Sequence, residues 1–231
     1  MIIFNGTALE SIAPVKIEDI RVSPIQMTAT ARQRPVRWGA DFVRMTGGTR
    51  TVAITFGLLT EDRDARMSQI LRIAKWARTD EPAPLLLPNY IGKYLPVVCT
   101  ALPEPSTRQW WESKLRIVFT AFEPYFVGVE EKSCATGTEF TVLGDAPPLM
   151  QIRATVASAL SNQAFSDGTN TMTFSTVPAG ALVIDLNHQT AAVDGSSIMS
   201  NYSFVSDFLP TKTGAQTITG VGTVFWHERW E

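Results

Sequence analysis

The chain has 231 residues, of which 45% are hydrophobic and 18% charged, and its formal net charge is −2. This composition can bury a core, which excludes a disordered chain, and the small net charge provides no strong field for nucleic acid or an anionic membrane. Residues 1–132 carry 17 Lys+Arg and 14 Asp+Glu, whereas residues 133–231 carry 3 and 8. The shift predicts two domains with different surfaces, which we place at 1–135 and 136–231.

Cysteine usage and the terminus indicate the compartment. Cys99 and Cys134 are too few for a disulfide framework and lack the paired spacing of a metal site, so we interpret both as buried thiols. The N-terminus lacks the basic start and apolar run of a signal peptide, and no window approaches the roughly 18 apolar residues that a membrane span needs. We therefore expect a protein that is made in the cytoplasm and has no contact with a membrane.

Alternation of apolar and polar residues, the period of a β-strand, dominates the first half of the chain. It is clearest in residues 25–32, 51–58 and 114–121, which are typical of half-buried antiparallel strands. Residues 133–150, which contain Pro147 and Pro148, are interpreted as a linker.

Short strands with frequent turn signals follow this linker. Asp194-Gly195 is a strong hairpin turn. The candidate strands are residues 150–156, 170–174, 181–186, 191–193, 197–199 and 221–230. Their spacing predicts a β-sandwich.

A single α-helix is predicted at about residues 62–79, where the period becomes helical. Thr60 or Asp62 can cap its N-terminus. The apolar residues at three- and four-residue spacing predict one buried stripe: Met67, Ile70, Leu71, Ala74 and Ala77. The fold class is therefore mainly β, with two β-sandwich-like domains and this helix in the first.

Arginines concentrate between residues 31 and 50, a segment that we interpret as a long excursion from a hairpin with Gly47-Gly48 as its tight turn. Few aromatic residues interleave them, which disfavours nucleic-acid binding and favours a solvated or intersubunit face. Trp76 lies off the apolar stripe of the helix, so it is either covered by a neighbouring loop or part of a subunit contact. The candidate subunit or partner interface is Arg32, Arg34, Arg37, Trp38, Arg50, Arg72 and Trp76.

No catalytic or cofactor-binding motif is recognisable. His188 lies in a polar turn and His227 in the last predicted strand, and neither accompanies a nucleophile signature. The residues 46–49, Thr-Gly-Gly-Thr, lead into a strand and so lack the helix N-terminus of a phosphate-binding loop. A Ser/His/Asp site or a carboxylate pair assembled from distant residues stays open from sequence alone. We expect a protein that is not an enzyme and has no cofactor, metal or small-molecule substrate.

The order of these features resembles the siphovirus distal tail protein family. The resemblance in the first half lies in Arg34-Pro35-Val36-Arg37-Trp38-Gly39, followed by the strand at 51–58, the helix, and Leu85-Leu86-Leu87-Pro88-Asn89-Tyr90. In the second half it lies in Gly144-Asp145-Ala146-Pro147-Pro148, Val193-Asp194-Gly195 and Ser206-Asp207-Phe208-Leu209-Pro210. The chain departs from the family after this last segment, where Lys212-Thr213-Gly214 replaces the usual Pro-Gly and Asn.

The resemblance implies a ring-forming, tail-tube-like β-sandwich at 1–135 and a galectin-like β-sandwich at 136–231. It implies a hexameric ring in the phage virion, at the tail tip, made in the bacterial host cytoplasm. The expected partners are further copies of the chain, the tail tube protein, the baseplate hub or tail-associated protein, and the tape measure protein. DNA is expected to pass through the channel without specific binding, and we expect Arg32, Arg34 and Arg37 to meet acidic groups of a neighbour instead.

Two alternatives remain from the sequence. The first is another tube-like tail subunit, a tube or terminator protein, although a tube subunit would normally lack the second sandwich. The second is a galectin-like carbohydrate-binding module for host attachment. Its candidate stacking rings are Trp226, Trp230 and Tyr202, of which the two tryptophans are expected in the core.

Overall fold

The computed structural model gives the backbone of nearly all of the chain. It describes residues 1–33, 40–60, 62–103, 114–203 and 205–231, with the backbone alone at 28–33 and 40–46. Strands hold 53% of the chain and helical residues 11%, so the mainly β prediction is confirmed. Two compact units divide the chain, Met1–Phe126 and Val127–Glu231.

The N-terminal unit is built from short and medium strands with one long helix. Its elements are β1 (Ile3–Phe4), β2 (Thr7–Ala8), α1 (Leu9–Ile12), β3 (Val15–Val22), β4 (Met27–Gln33), β5 (Ala40–Gly47), β6 (Arg50–Leu58), α2 (Arg63–Ala77), β7 (Ala83–Leu86), β8 (Lys93–Ala101) and β9 (Lys114–Ala121). Antiparallel pairing joins them in the order β3–β6–β9–β8–β7–β1–β2, while β4 and β5 form a separate pair. The chain passes from this unit to the next within β10 (Phe126–Gly128).

Aromatic rings form the centre of the N-terminal core. Phe4 and Phe119 are fully buried, with ring centroids 4.9 Å apart. The Trp76 ring of α2 meets both of them edge-on, at 5.6 Å from Phe4 and 6.3 Å from Phe119. Helix α2 is therefore held on the sheet through β1 and β9.

The predicted helix is confirmed, but its predicted buried stripe is partly wrong. Asp62 is the N-cap, and its carboxylate accepts a hydrogen bond of 2.7 Å from the Ala65 amide. Met67 and Leu71 are 40% and 68% exposed, although the stripe placed them inside. The buried residues are Arg66, Ile70, Ile73 and Ala77, which have the same spacing on a neighbouring face.

The predicted turn of the arginine-rich hairpin is also wrong. The strands β4 and β5 pair from Met27 opposite Gly47 to Gln33 opposite Ala40, so their connection falls at 34–39, outside the described residues. Gly48 lies at the base of the hairpin, where its amide donates a 2.7 Å hydrogen bond to the carbonyl of Gln26. A Cβ at Gly48 would lie 2.8 Å from that carbonyl oxygen, which explains the glycine.

The C-terminal unit contains strands and one short 3₁₀ turn. Its elements are β11 (Lys132–Ala135), β12 (Glu139–Val142), β13 (Ala146–Val156), β14 (Leu160–Ser166), β15 (Thr171–Val177), β16 (Gly180–Asp185), β17 (Thr190–Val193), β18 (Ser196–Ser197), a 3₁₀ turn (Met199–Asn201), β19 (Gly214–Thr217) and β20 (Thr223–Trp230). The main sheet has the order β18–β17–β16–β13–β20–β11, and the two smaller sheets are β12–β19 and β14–β15.

All three sheets of this unit contribute to one hydrophobic core. The main sheet supplies Ile152 and Trp226, and the smaller sheets supply Phe140 and Phe165. The Phe140 and Trp226 rings lie 4.6 Å apart. Trp226 is 5% exposed, as expected for a core residue, whereas Trp230 is only partly buried.

The segment interpreted as a linker instead forms structure. β11, β12 and the start of β13 occupy most of residues 133–150. Pro147 and Pro148 lie at a register shift between Ala146 and Leu149, where the ladder to β20 is interrupted. Because a bulge leaves backbone groups unpaired, prolines without an amide hydrogen are tolerated there.

The two cysteines are less buried than predicted. Cys99 and Cys134 are free thiols, and each is partly rather than fully buried. Burial raises the pKa of the Cys99 thiol, and a backbone hydrogen bond with Ala101 opposes that effect only in part. A raised pKa disfavours the thiolate, so the position of Cys99 does not activate it as a nucleophile.

Candidate functional site

Of the candidate interface residues in the arginine-rich hairpin, only Arg32 lies within the described residues. Arg32 belongs to β4, of which the backbone is described there. Arg34, Arg37 and Trp38 lie outside the described residues. The structure therefore places Arg32 on a two-stranded ribbon, and the contacts of all four side chains stay a prediction.

Arg50 occupies the interior of the N-terminal unit. Its side chain is 6% exposed, and its guanidinium carbon lies 5.2 Å from the centroid of the Phe126 ring. Tyr90 stacks on the same ring at 4.2 Å. This cation–π arrangement uses Arg50 inside the unit, so little of its side chain is available to a partner.

Arg72 and Trp76 do come together, in a groove of about 430 Å³ beside the N-terminal strands. The Trp76 indole N–H donates a 3.0 Å hydrogen bond to the carbonyl of Thr7, so the N-terminal segment covers part of the ring. Lys75 also lines the groove. The groove thus has an aromatic floor and two cationic side chains at its rim.

A second site was not predicted from the sequence, because its residues lie far apart in the chain. His188 and His227 line one cleft of about 230 Å³ in the C-terminal unit, which we call the histidine cleft. It lies on the face of the main sheet opposite to the core, since Arg153 and Phe225 alternate with the buried Ile152 and Val224. These residues meet only because of the register in which β13 pairs with β20, and the sequence alone does not reveal that register.

Hydrogen bonds connect the polar side chains of the histidine cleft. The Arg153 guanidinium donates to both carboxylate oxygens of Glu131, at 2.6 and 3.1 Å, and to the side-chain oxygen of Gln151 at 3.0 Å. The Gln151 amide donates to Asp185 at 3.1 Å, and His188 Nδ1 lies 3.1 Å from the same oxygen of Asp185. The Arg153 guanidinium also covers the Phe225 ring at 4.4 Å.

The Asp185 carboxylate is held in its charged form. Burial alone would raise its pKa, but the backbone amide and ring of His188 and the Gln151 amide donate to it, and together they lower the pKa below its usual range. Asp185 also accepts from the Asn187 amide at 3.0 Å. Its hydrogen-bonding capacity is therefore taken up by the protein itself.

The part of the chain that the structure describes lacks two further kinds of site. There, no group of three or more His, Cys, Asp or Glu side chains is placed to hold a metal ion. None of the helices in the same ranges combines the length and the apolar character that crossing a bilayer requires.

Comparison with known proteins gives structural relatives only. No protein-family model and no curated protein matches the sequence. Two structures of the phage p2 baseplate in its activated conformation, with Sr and with Ca, show 8% and 7% identity over 94% of this chain and 90% of theirs, with TM-scores of 0.43 and 0.45. Likeness at that level is too weak to carry a conclusion.

For one of the matching solved structures, the likeness extends over the full length. The SPP1 Dit (gp 19.1) protein, described as a paradigm of the hub adsorption apparatus in phages that infect Gram-positive bacteria, superimposes with a TM-score of 0.79. The match covers 100% of this chain and 98% of that chain, at 13% sequence identity. The resemblance expected from the sequence is thus confirmed at the level of the fold: the chain has the fold of a phage distal tail protein along its whole length.

Proposed function

We propose that the chain is a structural component of a bacteriophage tail tip, a ring subunit that joins the tail tube to the baseplate hub. The observation that carries the proposal is the full-length likeness to the SPP1 hub protein, since both units of the chain take part in it. A tube or terminator subunit explains only the first unit. The role is one of shape and contact, without catalysis.

The β4–β5 hairpin supports an assembly of several copies. Among the described residues these two strands pair only with each other. A two-stranded hairpin is marginally stable in water by itself, and its unpaired edges are ready to pair with another chain. A neighbouring subunit that lies against the hairpin satisfies those edges, and a closed ring needs such a heterologous contact between two different surfaces.

Charge complementarity also supports the proposed contact between the hairpin and a neighbour. The hairpin region contributes Arg32, Arg34 and Arg37, while residues 133–231 carry 3 basic and 8 acidic side chains. We infer that the arginines face acidic groups of a neighbouring subunit or of the tail tube protein. Arginines in the lumen would instead hold the phosphates of passing DNA and slow its exit.

The remaining parts of the proposal follow from the position of such a ring. The ring consists of six copies of the chain and surrounds a channel through which DNA passes. Its partners are the tail tube protein, the hub or tail-associated protein and the tape measure protein. The protein is then part of the virion and is made in the host cytoplasm.

Mass photometry and negative-stain imaging of the purified full-length chain test this function. We expect particles of six chain masses at raised concentration, and annular class averages with a central hole. The matched control lacks residues 27–47, joined by Ser-Gly, and we expect it to remain a monomer. If the wild-type chain stays monomeric and also forms no ring on purified tail tubes of its own phage, the proposed ring is wrong.

A further inference from the structure

Two arginines project from the same face of the N-terminal sheet. Arg21 of β3 lies opposite Ala53 of β6. Arg116 of β9 lies opposite Thr55, which is two residues further along β6. Because side chains two residues apart in a strand point to the same face, both guanidinium groups leave the sheet on the side of Ala53 and Thr55. The core lies on the other face, where Ile54 is fully buried.

Residues of this face line a pocket of about 640 Å³, which we call the arginine pocket. The strands contribute the hydroxyl groups of Ser23 and Thr51 beside the two arginines. The connection between β7 and β8 contributes Asn89 and Tyr90. The volume falls within the range of about 300 to 1,000 Å³ that is common for small-molecule sites.

The lining of the arginine pocket is rich in hydrogen-bond donors, and none of the described residues that line it is acidic. The Asn89 amide and the Tyr90 hydroxyl add donors to those of the two guanidinium groups. In the described ranges, the ion pair of Arg21 with Asp19 uses Nε alone, and neither a hydrogen bond nor an ion pair engages Arg116. The terminal nitrogens of both arginines are thus available to a ligand.

Two of the donors are held in place before any ligand arrives. The Tyr90 ring stacks on Phe126 with centroids 4.2 Å apart, and its backbone amide donates to the carbonyl of Leu87 at 3.1 Å. The Asp19 carboxylate accepts from Arg21 Nε and so restrains that guanidinium. Groups that are already ordered bind a ligand without a large entropic cost.

Charge and the number of donors select the class of ligand. Arg21 and Arg116 contribute two positive charges and Asp19 one negative charge, so the pocket and its edge carry a net charge of +1. A guanidinium binds an oxyanion best through two parallel hydrogen bonds, and two such groups can engage more than two oxygens. A carboxylate offers two oxygens, whereas a phosphate group offers at least three and a charge of about −1.5 to −2 at neutral pH.

We propose that the arginine pocket binds a phosphate group between Arg21 and Arg116, with the Tyr90 hydroxyl as a third donor. The group is free phosphate or the terminal phosphate of an ester, because a phosphodiester within a nucleic-acid strand has only two free oxygens and continues on both sides. Bound phosphate would tie the edge strand β3 to the connection between β7 and β8 and stabilise the folded unit. The site does not depend on ring formation, since all of its residues belong to the N-terminal unit.

Two replacements test the site in different ways. Arg116→Gln removes one guanidinium, and its matched control is Arg63→Gln, which makes the same charge change at an exposed position of α2 outside the pocket. Tyr90→Phe removes one hydroxyl, keeps the ring that stacks on Phe126 and leaves the net charge unchanged. Circular dichroism and thermal melting check that all three variants keep the fold.

Phosphorus NMR and calorimetry on the full-length protein in phosphate-free buffer supply the measurement. The probes are inorganic phosphate, phenyl phosphate, acetate at matched ionic strength, and a short thymidine oligonucleotide without terminal phosphates. We expect inorganic phosphate to bind with a Kd of about 1 mM and acetate about tenfold more weakly. The affinity for phosphate should fall about tenfold in Arg116→Gln and about fivefold in Tyr90→Phe, and it should not change in Arg63→Gln.

Four outcomes overturn the proposal. The first is that neither inorganic phosphate nor phenyl phosphate binds at about 50 mM. The second is an equal loss in Arg116→Gln and Arg63→Gln, which would reduce the effect to total charge. The third is that acetate binds as tightly as phosphate, and the fourth is that the oligonucleotide binds more tightly, which would make the face a nucleic-acid contact. Imaging of rings is unaffected by any of these, so failure here leaves the proposed function as it stands.

Discussion

The Lys212 ammonium lies 2.7 Å from the Asp167 carboxylate and ties the β14–β15 turn to the segment that precedes β19. Asp167 is 6% exposed, and its other oxygen accepts from the amides of Thr169 and Asn170 at 2.9 and 2.6 Å. Burial alone would raise the pKa of Asp167, but these amides and Lys212 outweigh it and hold the pKa well below its usual range.

Asp167→Asn is therefore expected to lower the free energy of unfolding by about 2 kcal/mol at neutral pH, since hydrogen bonds to a charged group are lost. The folded-state pKa lies below the unfolded value of about 3.9, so the stabilisation is complete above that pH and fades as the pH falls below it. Urea unfolding of both proteins at pH 7, 5 and 3 measures this. The exposed Asp207→Asn is the control, and a wild-type advantage that grows on acidification would contradict the assignment.

The exposed face of α2 makes a second prediction. Leu71→Gln is expected to change the free energy of unfolding by less than about 0.5 kcal/mol, because the side chain is 68% exposed. Ile73→Ala, two residues on, removes a fully buried side chain and is expected to cost about 3 kcal/mol. Chemical unfolding measures the loss of unfolding free energy in each variant. A larger loss in Leu71→Gln than in Ile73→Ala would contradict the observed buried face and support the stripe predicted from sequence.

This helix shows what the sequence determines and what it does not. The apolar period and the two candidate caps, Thr60 and Asp62, predicted the helix, and Asp62 is the N-cap in the structure. The choice of face was not determined, because Arg66 and Ile73 compete with Met67 and Leu71 at the same spacing. A long arginine stem can be covered while its charged end finds a partner, so residue type alone did not exclude Arg66 from the inner face.

Pairing across long sequence separations accounts for the other differences. Pro147 and Pro148 predict a linker locally, and only the interrupted ladder to β20 makes them compatible with a strand. The histidine cleft depends on the same register, which brings Gln151 opposite Phe225. The candidate interface was predicted from local arginine and tryptophan content, which could not show that Arg50 folds inward over Phe126.

Gly144 provides a third prediction, from a close approach of two backbones. A Cβ at this position would lie 2.2 Å from the carbonyl oxygen of Arg229 in β20, and a backbone atom cannot give way as a side chain does. Gly144→Ala is thus expected to destabilise the C-terminal unit by about 2 kcal/mol. Gly195→Asn is the control, because its turn is open and asparagine tolerates its φ of +77°. Equal melting temperatures for the two variants would refute the contact.

The arginines of the hairpin make the last prediction, and it rests on the proposed ring. Reversing Arg32, Arg34 and Arg37 to glutamate is expected to abolish or greatly weaken ring assembly, because three attractive pairs with acidic neighbours become repulsive. The control reverses Lys16, Arg21 and Arg116, three exposed cations of the same unit, and applies the same change in net charge.

Mass photometry at low and at raised salt distinguishes the two causes, pairing and total charge. Interactions between exposed charges that lie more than about 10 Å apart are largely screened at about 0.1 M salt, and higher salt screens them at shorter separations. A loss of assembly that is due only to total charge should therefore recover at raised salt in both variants. A loss due to close pairs should persist in the hairpin variant alone, whose side chains then meet like charges at contact distance. Intact rings in the hairpin variant would show that these arginines face the channel or solvent, and their placement at the subunit contact would have to be abandoned.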